Sequence, residues 1–189
     1  MNLFVVALLL AAGHALLGGM ALASPASFGG SLRRFARNVP AGVVLMLAGT
    51  AWFLYNLWSS DLTDFAALRP FLYAAVALVG VGNCLFVQDY IAVRGVSVVA
   101  LLACDRILDL QRWHKSAGFD PNGWLQPKNL VVLWCYVVVV VAIWFVHSPF
   151  RLRDALDWVV ATPSRLRQVG GASVGFAVLL AAIAVTWLR

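Results

Sequence analysis

The chain has 189 residues, 62% of them apolar and 12% charged, with a formal net charge of +6 and a mean hydropathy of +0.87. A soluble domain carries about 25% charged residues, and a soluble chain of this length has too much surface for its volume to bury so large an apolar share. The composition therefore excludes a water-soluble globule and predicts an all-α integral membrane protein, a single transmembrane domain over residues 1–189 with lipid as part of its solvent.

An apolar run needs about 20 residues, with about 17 as a lower limit, to cross roughly 30 Å of hydrocarbon. The first such run is 3–23. Ala21-Leu22-Ala23 looks like a signal-peptidase site, but no positive residue precedes the apolar stretch and Arg33, Arg34 and Arg37 follow it. The expectation is an uncleaved helix with its amino terminus outside. The second run, 40–58, and the third, 70–88, each open on a proline, which suits a first helical turn because its missing N–H has no intrahelical partner to lose.

The fourth run, 90–104, supports two readings. Only ten uncharged residues separate Arg94 from Asp105, a length of about 15 Å as helix. Either Arg94 snorkels to an interface and the segment crosses, or Arg94, Ser97, Asp105, Asp109 and Arg112 form the polar stripe of a helix lying in the membrane plane. The fifth run, 130–147, has the β-branched stretch Val137 to Val141 at its heart; in lipid the need to satisfy backbone hydrogen bonds internally overrides its poor helix propensity. The last run is 172–188. The fold class expected is thus a bundle of six transmembrane helices, or five if the fourth lies in the interface, with short loops and one or two interfacial amphipathic helices. Residues 150–160, which mix Arg151, Arg153, Asp154 and Asp157 with Leu152, Leu156 and Trp158, read as one of these, stopped before Pro163. Asp120 to Gly123, between Trp113 and Trp124, reads as a turn.

Counting Arg and Lys on the two sides gives eight against six with six spans and nine against five with five, so the positive-inside rule does not choose between them. The basic residues sit in short loops, which points to topology and anionic lipid headgroups rather than to nucleic acid. Arg outnumbers Lys twelve to two and Glu is absent, a skew that fits a GC-rich bacterial coding sequence. The expected location is a bacterial inner membrane, multi-pass. Cys84, Cys104 and Cys135 fall in apolar runs at no ligand spacing and read as small buried hydrophobes.

Offset by 93, the two halves share Val5 to Leu9 with Val98 to Leu102, and Pro70 falls on Pro163. Weak internal symmetry of this kind is how inverted transporter repeats show themselves. The register fails for the last run of each half, since Pro70 opens its span and Pro163 precedes its span by about nine residues.

Few residues invite chemistry. Ala7, Ala11, Ala15, Gly19 and Ala23 form a stripe at spacing four, and Gly171 and Gly175 a GxxxG pair, both signs of close helix packing. His14 lies within the first span, and Asn83, Gln88, Asp89 and Arg94 cluster at the third-to-fourth junction; polar groups at membrane depth are costly and often functional. As a haem ligand His14 would need a second His at similar depth, and His147 ends its span while His114 lies in a loop. An interhelical hydrogen bond is the expectation. Asp105 and Asp109 share one helix face, the spacing at which paired carboxylates hold Mg²⁺ beside a diphosphate. The longer aspartate motifs of intramembrane transferases are missing, however, and Arg112 three residues on makes a solvated ion-paired face. The expectation is a protein with no catalytic residue, no metal and no cofactor. Its partners would be membrane lipids and other membrane subunits or copies of itself, and it would act through helix–helix contact. The alternatives are a small transporter or channel with inverted 3+3 repeats, or a lipid-active enzyme using Asp105 and Asp109.

Overall fold

Among the described residues the chain satisfies its backbone hydrogen bonds with helices alone, the arrangement that a backbone in hydrocarbon would require. The computed structural model describes residues 2–60, 63–112 and 129–188. In chain order the helices are α1 (Leu3–Ala23), α2 (Pro25–Ala36), α3 (Val39–Ser59), a short 3-10 segment (Thr63–Leu68), α4 (Arg69–Phe86), α5 (Ile91–Arg112), α6 (Asn129–His147), α7 (Phe150–Val160) and α8 (Pro163–Trp187). Trp113, His114, Trp124 and the expected turn at Asp120 to Gly123 lie outside the described residues.

Local chemistry fixes the starts. Prolines occupy the first turn of α2, α3, α4 and α8. Asn38 accepts a hydrogen bond from the Ala41 N–H at 3.1 Å, and Thr162 one from the Arg165 N–H at 3.4 Å, each satisfying a donor that the first turn leaves open. Among the described residues five helical stretches are long and apolar enough to cross a membrane: α1, α3, Ala66–Phe86, α6 and Pro163–Thr186 within α8. α7 coincides with the interfacial helix read from sequence. Several boundaries differ from the sequence reading: α4 ends at Phe86 rather than 88, and α5 runs on to Arg112 rather than stopping at 104. The arginine-bearing segment after α1 is itself a helix, α2, and α8 begins at Pro163, nine residues before the apolar run, because Thr162 caps a polar first turn that the run does not contain.

The helices pack in two groups joined by α5. α1 and α8 run antiparallel: Gly18 lies against Gly170 and Val174, and Gly170 against Ala21. α4 folds back along α3, with Gly80 against Thr50. α5 then lies along α3 in the same direction. Gly42 meets Ile91 and Ala92, Gly49 meets Val98, and Asn56 accepts a hydrogen bond from Arg106 at 2.8 Å. The contacts advance together along both helices over fourteen residues of α3, about 21 Å. The other face of α5 closes on α6, where Cys104 and Cys135 touch through their thiols. The main core gathers Leu3, Ala7, Cys104, Val131, Leu180 and Leu188 at one end of the bundle.

The opposite end carries α2 and α7. Gly29 of α2 lies against Val160 and Leu166, and Arg33 bonds Asp157 at 2.9 Å. The packing does not repeat between the halves. α1 pairs with α8, whereas their counterparts at the offset of 93, α5 and α4, barely touch, and α5 pairs with α3 and α6 instead. The prolines do keep register, since Pro70 and Pro163 both open helices.

Candidate functional site

His14 sits in α1 where α6 and α8 converge, and three hydrogen bonds fix its state. The indole N–H of Trp134 donates to His14 Nε2 at 3.0 Å. Indole nitrogen only donates, so Nε2 must be the bare acceptor nitrogen and the imidazole is neutral with its proton on Nδ1. Nδ1 then donates to Ser173 Oγ at 3.1 Å, and the Ser173 hydroxyl donates in turn to the His14 carbonyl at 3.0 Å. The Trp134 and Phe176 rings stand edge-on to the imidazole at centroid distances of 5.9 and 5.0 Å. An apolar cleft of about 470 Å³ adjoins the cluster, walled by Leu130, Leu133, Val137 and Val169. Chemically the arrangement is closed. Both ring nitrogens are engaged, so His14 has no free lone pair for a metal or a substrate proton; what it does is tie three helices together.

Sequence reasoning singled out His14 but not its partners. Trp134 and Ser173 lie 120 and 159 positions away. Nothing in the local pattern of either one marks the meeting.

The polar junction of α4 and α5 is a tight turn. Val87 N–H bonds the Asn83 carbonyl, Ile91 N–H that of Gln88, and Tyr90 takes a left-handed conformation at φ 54°, which costs about 1–2 kcal/mol for a residue with a Cβ. The Tyr90 hydroxyl accepts from Arg153 of α7 at 3.3 Å, so the turn is held from outside. Asp154, then Tyr90, raise the Arg153 pKa above its ordinary value by hydrogen bonding to the guanidinium. Among the described residues no hydrogen bond or ion pair joins the four residues read from sequence to one another. Asn83 donates to the Val79 carbonyl at 2.8 Å on its own helix, and Gln88, just past the end of α4, to that of Cys84 at 3.5 Å. Asp89 is exposed. Arg94 is half-buried, and its shielded Nε has no hydrogen-bond partner among the described residues.

Asp105 and Asp109 are both exposed on one face of α5. Among the described residues no three His, Cys, Asp or Glu side chains come close enough to hold a metal ion. Of the small-residue stripe, Ala7 and Ala11 are buried, Gly19 is half-buried, and Ala15 and Ala23 are exposed. A spacing of four advances 400° around a helix of 3.6 residues per turn, so such a stripe drifts about 40° per step. The seam that packs is Ala7, Ala11, His14, Gly18 and Ala21, alternating four and three. On α8 the same alternation runs through Leu166, Gly170, Ser173, Ala177, Leu180 and Ala184, leaving Gly171 and Gly175 exposed with nothing near them. Cys84, Cys104 and Cys135 are buried free thiols.

No family model, no curated protein and no solved structure matches this chain.

Proposed function

We propose that the chain is a multi-pass protein of a bacterial inner membrane, crossing six times and acting as a noncatalytic subunit through contact with other membrane helices or with copies of itself. The observation that carries this reading is where the polar side chains of the long helices go. His14 and Ser173 bond each other and Trp134, while Thr50, Ser97 and Thr186 each donate to a carbonyl one turn back on their own helix. A site that transforms or carries a solute needs polar groups converging on the solute; these converge on the bundle. α4 adds a face for contact. It packs on α3 and the segment before it, with Leu78 at 76% and Phe86 at 84% exposure.

The sixth crossing is supported by α5 lying parallel to α3. A bilayer that α3 crosses encloses the same stretch of α5, with Arg94 at one end and Asp105, Arg106 and Asp109 at the other. Six crossings gather eight of the basic residues, α2 and α7 on one side, the expected cytoplasmic side. The bacterial assignment is supported by the Arg-for-Lys skew and the absence of Glu.

Purification in a mild uncharged detergent tests the functional reading. A stoichiometric complex or a defined oligomer is the expected result. A lone monomer whose thermal unfolding shifts on adding small solutes would overturn it. Topology reporters fused after Val87 and after Arg112 should report opposite sides; the same side for both would remove the sixth crossing.

A further inference from the structure

The end of the bundle built from α2 and α7 holds a cavity of about 550 Å³ between the two short helices. Four arginines line it, Arg33, Arg34, Arg37 and Arg153, against a single acidic residue, Asp157. Two of the four are committed. Arg33 bonds Asp157 at 2.9 Å, and Arg153 bonds Asp154 at 2.7 Å and Tyr90 at 3.3 Å. Arg34 and Arg37 make no side-chain hydrogen bond or ion pair with the described residues. The rest of the wall is apolar, from Ala36 and Leu156. An excess of cationic forks over an apolar shelf is the chemistry that recognises a phosphate ester, since guanidinium meets phosphate oxygens in a planar, two-point contact.

We infer that this cavity is a binding site for the phosphate headgroup of an anionic phospholipid. The inference depends on the chain lying in a bilayer, not on its being a noncatalytic subunit. Two features favour a lipid over a free anion. α2 and α7 have 12 and 11 residues, too few to span, and both are amphipathic and join the ends of spanning helices, so the cavity sits at headgroup depth. Ala36 and Leu156 give the glycerol and first acyl carbons an apolar surface that inorganic phosphate would not use. The pairs already formed hold the walls apart: Arg33–Asp157 ties α2 to α7, and Arg153–Tyr90 ties α7 to the α4–α5 turn. Arg34 and Arg37 are left to engage the ligand.

The test is binding of a short-chain phosphatidylglycerol to the purified full chain in an uncharged maltoside detergent, read as thermal unfolding against lipid concentration. Saturable stabilisation is expected with phosphatidylglycerol and not with phosphatidylcholine of the same chain length. R34A and R37A should each weaken it on the order of fivefold, from about 1 kcal/mol per arginine near an anionic headgroup. R151A and R167A, which remove charge outside the cavity, should leave it unchanged. Equal stabilisation by phosphatidylcholine would overturn the site. Equal stabilisation by inorganic phosphate would make it a free-anion site and overturn the lipid assignment. Equal loss in R151A or R167A would replace a built site by diffuse attraction to the basic end. A chain that stays folded and monodisperse without detergent would refute the membrane reading itself, a failure distinct from any of these.

Discussion

α5 and α6 lie side by side and invert the rule that governs soluble proteins. α6 is the most apolar long helix in the chain, yet only Val131, Cys135 and Ala142 of its 19 residues are buried. α5 carries Arg94, Asp105, Arg106, Asp109 and Arg112 and falls short of the apolar length a span needs, yet eight of its 22 residues are buried, Ile91 to Val93, Gly95, Ser97, Leu102, Cys104 and Ile107. In water the apolar helix would go inside. In lipid an exposed Val or Leu loses nothing, because acyl chains solvate it as well as a neighbouring helix does; the inside goes to whichever helix offers small residues and a polar group that needs a partner. α5 offers Gly95 to α3 and Cys104 to α6, which on the proposed membrane reading accounts for its place between them.

The sharpest way to break this comparison is to deny α5 its close approach. A Cβ added at Gly42 would run into the backbone of Ile91 and Ala92, and one at Gly95 would meet Leu45 at 2.8 Å and the Gly42 carbonyl at 3.0 Å. Gly42→Leu should therefore separate α3 from α5 and cost about 3 kcal/mol or more, the upper end of overpacking effects, measured by unfolding in detergent or by protease sensitivity of the α4–α5 turn. Gly13→Leu, with nothing near its position, should leave stability unchanged. If the two behaved alike, the α3–α5 contact would not exist in solution. A narrower version uses α6 alone. Cys135→Leu fills a fully buried site against Cys104 and should cost about 1–3 kcal/mol, whereas Val140→Leu, 63% exposed, should change stability by less than about 0.5 kcal/mol. Equal costs would mean that α6 is buried on both faces, by another chain if not by this one.

Much of this was legible in the sequence, and the omissions have physical causes. The apolar runs 3–23, 40–58 and 130–147 and the amphipathic segment 150–160 are helices whose bounds lie within a residue of those read from sequence, because length and apolar content mark such helices by themselves. α2 is too polar to span, so hydropathy alone shows only a connection there, although Pro25 at its start and Phe28, Leu32, Phe35 and Ala36 on one face carry a helical signal. Which helices touch was not legible. Apolar residues surround each span, so hydropathy points to no particular neighbour, and the His14 cluster draws its parts from three helices far apart in the chain.

That cluster makes a smaller prediction. Interhelical hydrogen bonds in membranes average about 0.6 kcal/mol and reach about 1.7. Ser173→Ala should cost about 1 kcal/mol, and in a double-mutant cycle with His14→Ala only the part carried by the bond between Nδ1 and the hydroxyl should vanish, because the backbone carbonyl of residue 14 still accepts from the hydroxyl. Fully additive losses would mean that the imidazole–hydroxyl bond contributes nothing. Trp134→Phe keeps the ring and removes the N–H; it should release Nε2 from its donor while leaving the α1–α8 seam intact, visible as a change in the His14 ring-nitrogen NMR shift without loss of fold.

The smallest effect belongs at the basic end. The Arg33–Asp157 pair is half-exposed on both sides, at 50% and 52%, so the gain from attraction is offset by side-chain ordering and screened by salt. Arg33→Ala should cost about 0.2–1 kcal/mol at low ionic strength and almost nothing at high salt, in contrast to Gly42→Leu, whose steric cost does not depend on salt. The reason is the one that separates α5 from α6. If the bundle lies in a bilayer as proposed, charges at its ends have water as an alternative partner, so pairing them gains little, whereas a polar group along a spanning helix has none and must bond its own helix or a neighbour. An Arg33→Ala loss above about 2 kcal/mol that persisted in high salt would contradict this, by showing that α2 docks on α7 as a buried element rather than at the membrane surface.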